Sequence, residues 1–283
     1  MTAILLSGII GSTTMCHYER KSQQGSRSGK IIFTVEWDSV VTETMKPEKL
    51  YFCLYPSNNG AMIQMESGVD GINMTLPPDT YRLLVFHNNI EEVNFNYISS
   101  FDSAKIGMKS PEKEECRINK PIYSAVLEDI VLEPGENKAV TIKLESLVQE
   151  LSLEIELSNP EAITTCEASL IGAPASLKLT SRASSDEEII ALPFSLKKRK
   201  NLFSGSRLLF DGKKQENEAG VAESQQLLVE VTMKNGKKVS STLDLKQLID
   251  DFNHQPVLIH LDATVQTSPS ATLVFDDWSI RPL

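Results

Sequence analysis

No stretch of this 283-residue chain is apolar for long enough to cross a bilayer as a helix, which takes about 20 residues. Aromatic residues make up only 6%, a thin supply for a sugar-stacking surface. Acidic residues outnumber basic ones by 38 to 28, and the net charge of −10 argues against nucleic-acid binding through the bulk surface. The one basic cluster, Lys197 to Lys200, reads as a solvated loop. The HExxH, CxxC, GxSxG, phosphate-loop and dinucleotide glycine patterns are all missing. His17, His87, His254 and His260 do not have metal-site spacing. His260 falls in the polar register of a strand and is expected to be exposed, while His87 reads as a turn cap beside Asn88 and Asn89. Asp276 and Asp277 are adjacent on a strand and should face opposite ways. No constellation meets the first geometric demand of an active site, so the chain is read as a non-enzyme without cofactor or metal.

Other features favour a packed protein. Apolar residues reach 41% and charged residues 23%, enough for a sizeable core in one large or two ordinary domains. Cys53, Cys116 and Cys166 are an odd set with no zinc spacing, so they do not define a disulfide scaffold. Cys53 lies inside an apolar stretch and reads as a core thiol.

Period-two alternation dominates the chain. In "KIIFTVEW", Ile31, Phe33, Val35 and Trp37 share one face. "LYFCLYP" and "TYRLLVFHN" are apolar on both faces, as in strands covered on two sides. "NKAVTIKLE" alternates through Val140, Ile142 and Leu144, and the pattern restarts at Leu151, Leu153, Ile155 and Leu157. "QQLLVEVTMKNGKKVSS" reads as a hairpin whose Asn235-Gly236 pair suits a type I′ turn. "DLKQLIDDFNH" has helical spacing at Leu245, Leu248, Ile249 and Phe252, with Asp244 as cap. The expected architecture is all-β: two tandem β-sandwich domains, residues 30–146 and 147–283, with one short helix in the second. Residues 103–125 read as a long polar insertion.

The N-terminus poses its own question. The uncharged run Ala3–Met15 is too short to span a bilayer and matches the apolar part of a secretory signal, without the usual basic start. Ser12 to Cys16 resembles a loose bacterial lipobox, and the chain turns polar immediately after Cys16. The resulting expectation is a signal peptide over 1–15, truncated at its start, an acylated (palmitate-bearing) Cys16, and a flexible tether over 16–29. A buried strand with an incidental cysteine is the blander alternative.

Several pieces in order carry a family resemblance: the lipobox-like cysteine, "FTVEWDS", "KPEKLYFCLYPSNNG", "TLPPDTYRLLVFHN", "SLIGAPASL" and the closing "LVFDDWSI". The residues concerned are Trp37, Asp38 and Ser39; Pro47, Leu50, Phe52, Tyr55, Pro56 and Gly60; Leu76, Pro77, Thr80 and Tyr81; and Asp276, Asp277 and Trp278. The order resembles Bacteroides-type outer-membrane lipoproteins related to the minor-fimbrium anchor and fimbrillin-associated proteins, in their domain-of-unknown-function branch. Pro78-Asp79 departs from the pattern, where one residue and a glycine are usual. The resemblance implies transthyretin-like sandwiches, lipid anchorage to the outer membrane at the cell surface, and a part in anchoring a pilus.

On that basis the expected partners are fimbrial subunits, joined by β-strand addition. The terminal stretch "SATLVFDDWSI", alternating Leu273, Phe275 and Asp277 against Val274, Asp276 and Trp278, is the candidate for that role. It reads better still as a permanent last strand of the second sandwich, whose energetics are dominated by burying Trp278. The rival function is surface glycan binding or nutrient capture, which calls for exposed aromatics clustered on one face.

Overall fold

A computed structural model of the chain describes residues 27–110, 117–184, 189–212, 225–245, 256–267 and 270–283. Cys16, the signal and most of the tether, His17, Cys116, His254 and nearly all of the expected helix lie outside the described residues. No helix among those described is long and apolar enough to cross a membrane.

The protein is all-β. The first ten strands are β1 (Gly29–Glu36), β2 (Leu50–Pro56), β3 (Ile63–Ser67), β4 (Gly71–Leu76), β5 (Asp79–Phe86), β6 (Val93–Asn96), β7 (Lys105–Met108), β8 (Tyr123–Leu132), β9 (Asn137–Lys143) and β10 (Glu145–Ser146). The next ten are β11 (Val148–Leu157), β12 (Ile163–Pro174), β13 (Ser176–Lys178), β14 (Ile189–Phe194), β15 (Lys197–Arg199), β16 (Leu202–Phe210), β17 (Gln226–Met233), β18 (Lys238–Asp244), β19 (Val257–Gln266) and β20 (Thr272–Pro282).

Two sheets, β4-β1-β9 and β10-β8-β5-β2-β3, enclose one core. In β1 the strict alternation seen in the sequence buries Ile31, Phe33 and Val35 and leaves Ile32 and Thr34 outside. Trp37 follows the strand half-buried, its Nε1 donating to the Val69 carbonyl at 3.1 Å and its ring meeting Tyr123 edge-on. Tyr81 lies in the middle of this core, 1% exposed. Two further sheets, β15-β16-β11-β19-β20 and β14-β12-β17-β18, enclose a second core built on Leu153, Ile155, Val229, Val231, Ile259 and Leu261. Cys166 is buried in it as a free thiol, and burial pushes its pKa up to about 12.

A third core explains why β2 and β5 are apolar on both faces. Their inward residues Phe52, Leu54, Leu83 and Val85 belong to the first core. Cys53, Tyr55, Leu84 and Phe86, on the opposite face, are covered by a small sheet in the order β13-β7-β6. Burial pushes the Cys53 thiol up to about 12, as expected of a core thiol. The covering layer corrects the reading of 103–125 as a polar insertion. That segment supplies β7, and its Ile106, Ile118 and Ile122 are all 2% exposed or less. Three widely spaced isoleucines leave no periodic signal, yet they supply the cover that a two-faced strand requires.

β13 lies in the second half of the sequence but pairs with β7 in the first, Leu177 opposite Ile106. Leu177, Leu179 and Phe210 therefore share the third core with Leu84 and Phe86. Leu147 separates β10, which pairs with β8, from β11, which pairs with β16 and β19. It is fully buried; its N–H donates to Ile122 at 2.6 Å and its carbonyl accepts from Asp211 at 2.9 Å.

The β17–β18 hairpin is where the sequence placed it, but the turn differs. Only Gly236 has positive φ (81°), and its N–H donates to Met233 at 2.9 Å while Met233 donates to Lys237. This is a three-residue connection with glycine in the left-handed position, not the expected type I′ pair. The Asn235 side chain accepts from the Lys237 N–H at 3.0 Å, which favours this closure.

Candidate docking edge

β20 is the outermost strand of its sheet; β19 is its one hydrogen-bonded strand partner among the described residues, and β18 of the facing sheet lies close to it. An unpaired edge exposes a row of backbone donors and acceptors that another chain can complete. Two other edges carry protection. β15, at the far side of the same sheet, consists of Lys197, Lys198 and Arg199, so the basic cluster is an edge strand and not the expected loop. Lys198 reaches back to the carbonyls of Pro160 and Ile163 at 3.0 and 3.3 Å and lies over the Phe203 ring. β14 contains Pro193, which cannot donate to an added strand.

The register of β20 is not the simple alternation that its sequence suggests. Asp277 pairs with Asp262 and Phe275 with Ala263, leaving Asp276 as the extra residue of a bulge. The bulge shifts everything beyond it by one position, so Trp278 falls opposite Leu261 and in the same inward set as Leu273 and Phe275. Leu273 is buried, and Phe275 and Ile280 pack partly against the core. Trp278, in contrast, is 41% exposed, which corrects the expectation that its burial dominates the strand. An edge strand has a neighbour on one side only, and the bulge bends it locally. The Asp276 carboxylate accepts from the Thr264 hydroxyl at 2.5 Å, and that of Asp277 from the Trp278 N–H at 2.8 Å. The bulge thus puts both carboxylates on the outer face, where simple alternation had them facing opposite ways, and each is tied to its own neighbour.

The remaining candidate residues are placed as follows. His87, just past β5, is buried: its Nε2 accepts the Tyr123 N–H at 3.1 Å and its Nδ1 lies 2.6 Å from the Asn89 carboxamide oxygen. Desolvation lowers its pKa. The expected turn cap is thus also a bridge between β5 and β8. Beside it a cleft of about 470 Å³ is lined by Asn88, Asn89, Asn94, Glu91 and Lys109 together with Ile90, Val93 and Phe95, a mixed wall without a nucleophile and its base. The most exposed aromatics among the described residues are Tyr97, just past β6, and Trp278, on β20; β6 and β20 belong to different sheets. His260 does occupy the outer face of its strand, but in company that the sequence could not show, beside Glu154 and Asp262.

Residues 23–195, more than half of the chain, match a family defined as a domain of unknown function, DUF5119. The chain belongs to this DUF5119 family. A Bacteroides ovatus protein named "Putative fimbrium anchoring subunit Fim4B" is 24% identical over 148 residues, an alignment covering 49% of this chain and 44% of that protein. The match thus spans less than half the length of that relative. Among solved structures, a "putative adhesin" from Bacteroides ovatus superposes with a TM-score of 0.65 at 17% identity, covering 96% of this chain and 99% of its own. The fimbrial anchor protein Mfa2 from Porphyromonas gingivalis superposes at 0.57 with 13% identity, covering 91% and 98%. At these identities the likeness is one of fold, and it extends along nearly the whole length of both solved structures.

Proposed function

We propose that this DUF5119 protein is a fimbrial anchor or accessory subunit of the cell surface, built from tandem transthyretin-like sandwiches over residues 30–146 and 147–283. The observation that carries the reading is the unpaired edge of β20, in a fold that superposes on a fimbrial anchor protein over 91% of the chain. Strand addition needs such an edge, where main-chain hydrogen bonds give affinity and alternate side chains give specificity. The half-exposed Trp278 offers an amphipathic anchor beside the edge. Two Asp residues and a bulge guard the strand against indiscriminate pairing.

In the same proposal Cys16 is the acylated residue that ties the protein to the outer membrane, with the polar segment that follows as tether. Two or more acyl chains on one residue anchor stably, where one holds only marginally. Replacing Cys16 with Ser moves the protein from the membrane fraction to the soluble periplasmic fraction; an unchanged distribution removes the anchor from the proposal.

The partner is tested by deleting Ala271 to Leu283 and, separately, by Trp278→Ala, with circular dichroism to establish folding. Loss of fimbrial-subunit capture by a folded protein supports docking at β20. Full capture by a folded truncation rejects it. If the truncation unfolds, Trp278→Ala decides: at 41% exposure its loss leaves the fold intact, and capture must weaken at least tenfold.

A further inference from the structure

The parallel pairing of β11 with β19 gathers ligand-type side chains that lie more than a hundred residues apart in sequence. Glu154 stands opposite His260, and Glu156 opposite Asp262. All four project from the outer face, because the alternate residues Leu153, Ile155, Leu157, Ile259, Leu261 and Ala263 fill the core. One ligand atom from each of Glu156, His260 and Asp262 lies within 4.8 Å of the other two. Ligand atoms around a tetrahedral ion with bonds of about 2.0–2.1 Å stand roughly 3.4 Å apart, a contraction that surface side chains can make.

The two nitrogens of His260 are already differentiated. Nδ1 lies 3.2 Å from the Glu154 carboxylate, and Nε2 lies 3.4 Å from Asp262. An Nδ1–H donated to Glu154 leaves the Nε2 lone pair facing Asp262, the arrangement by which metal-binding histidines are oriented through a carboxylate. Glu156 is fixed likewise, accepting a hydrogen bond from the Asn201 side chain at one oxygen and leaving the other for a ligand. Asp277 lies directly across from Asp262 on β20, so a further carboxylate borders the group. Like charges placed opposite each other in a ladder repel, and a cation relieves that repulsion.

We propose that Glu156, His260 and Asp262 bind a divalent transition-metal cation of the zinc class, with Glu154 and Asn201 orienting the ligands. An imidazole among carboxylates suits such ions better than calcium or magnesium, which prefer all-oxygen sets. The ion clips β19 to β11 and so braces the strand on which β20 is built. The site does not rest on the fimbrial reading and stands or falls separately from it.

The test is calorimetric titration of the chelator-stripped full-length protein with ZnCl2 at pH 7.5, alongside thermal unfolding, with MgCl2 as control. Zinc is expected to bind and to raise Tm by several degrees, while magnesium at the same concentration does neither. His260→Gln and Asp262→Asn, both at the surface, are each expected to weaken zinc binding at least tenfold while Tm without metal stays within a few degrees of wild type. Zinc binding unchanged in both variants places the ion elsewhere and overturns the proposal. So does an absence of zinc binding by the folded wild type, which leaves the cluster as a set of polar contacts of His260 with Glu154 and Asp262.

Discussion

The phenol of Tyr81 donates a hydrogen bond to the carbonyl of Pro77, four residues back, at 2.7 Å. The bond closes the Leu76–Asp79 turn from inside the first core, where the ring is 1% exposed and burial raises the phenol pKa. Removing only the hydroxyl, in Tyr81→Phe, strands a carbonyl at the core margin and is expected to lower stability by about 1–2 kcal/mol. Tyr81→Ala should cost about 3–5 kcal/mol, since it leaves a cavity as well. Urea unfolding checks both; equal losses in the two variants would show that the hydrogen bond, and not the ring, carries the effect.

Gly71 opens β4 with φ of +129°, and a Cβ at that position would lie 2.0 Å from the Phe33 carbonyl oxygen. The clash is with backbone of the paired strand β1, so it cannot be relieved by a rotamer change. Gly71→Ala is therefore expected to destabilise by several kcal/mol, because strain and register loss add. Gly68, three residues earlier, has nothing within 4 Å of such a Cβ. Gly68→Ala is expected to change stability by no more than about 0.5 kcal/mol. Comparable losses at the two glycines would remove the clash as the explanation.

What the sequence showed and what it hid follow from how each feature is encoded. The β1 alternation and the β17–β18 hairpin are local patterns, so Ile31, Phe33 and Val35 were legible as core residues. The two-faced β2 and β5 announced a cover on both sides but not its source, because β13 arrives from the far half of the chain. The Asp276 bulge is fixed by the partner strand, and it reversed the faces read for Asp277 and Trp278. The grouping of Glu154 and Glu156 with His260 and Asp262 depends on a parallel register, which no local spacing records.

His87 makes stability depend on pH in a direction that can be worked out. Desolvation chiefly lowers its pKa from the ordinary 6.5, opposed by the hydrogen bond to Asn89. The unfolded chain therefore takes up the proton at a higher pH than the folded one. The contribution of the neutral ring is complete above about pH 6.5 and is lost as pH falls through and below that value. Protonation would also turn Nε2 from an acceptor for the Tyr123 N–H into a donor. His87→Gln should be less stable than wild type at pH 7.5, and the gap between the two should narrow towards pH 5. A constant gap in urea midpoints across that range would mean that His87 does not titrate between the two states.

Two buried thiols report on separate cores. Cys53 on β2 faces the third core, and Cys166 on β12 faces the second; burial pushes both up to about 12, so neither reacts until its surroundings open. The third core is shared, since Leu177, Leu179 and Phe210 pack there with Leu84, Phe86 and Ile106. The junction residue Leu147 is bonded to both halves through Ile122 and Asp211. The halves are thus expected to open as one cooperative unit, even though each has a core of its own. Maleimide labelling at rising urea, read for each cysteine by peptide mapping, should give coincident midpoints for Cys53 and Cys166. Leu177→Ala, at a fully buried position of β13, is expected to cost about 2–5 kcal/mol and to move both midpoints together. If Cys166 became reactive well before Cys53, and Leu177→Ala shifted only one of them, the shared core would be a contact surface between independent domains.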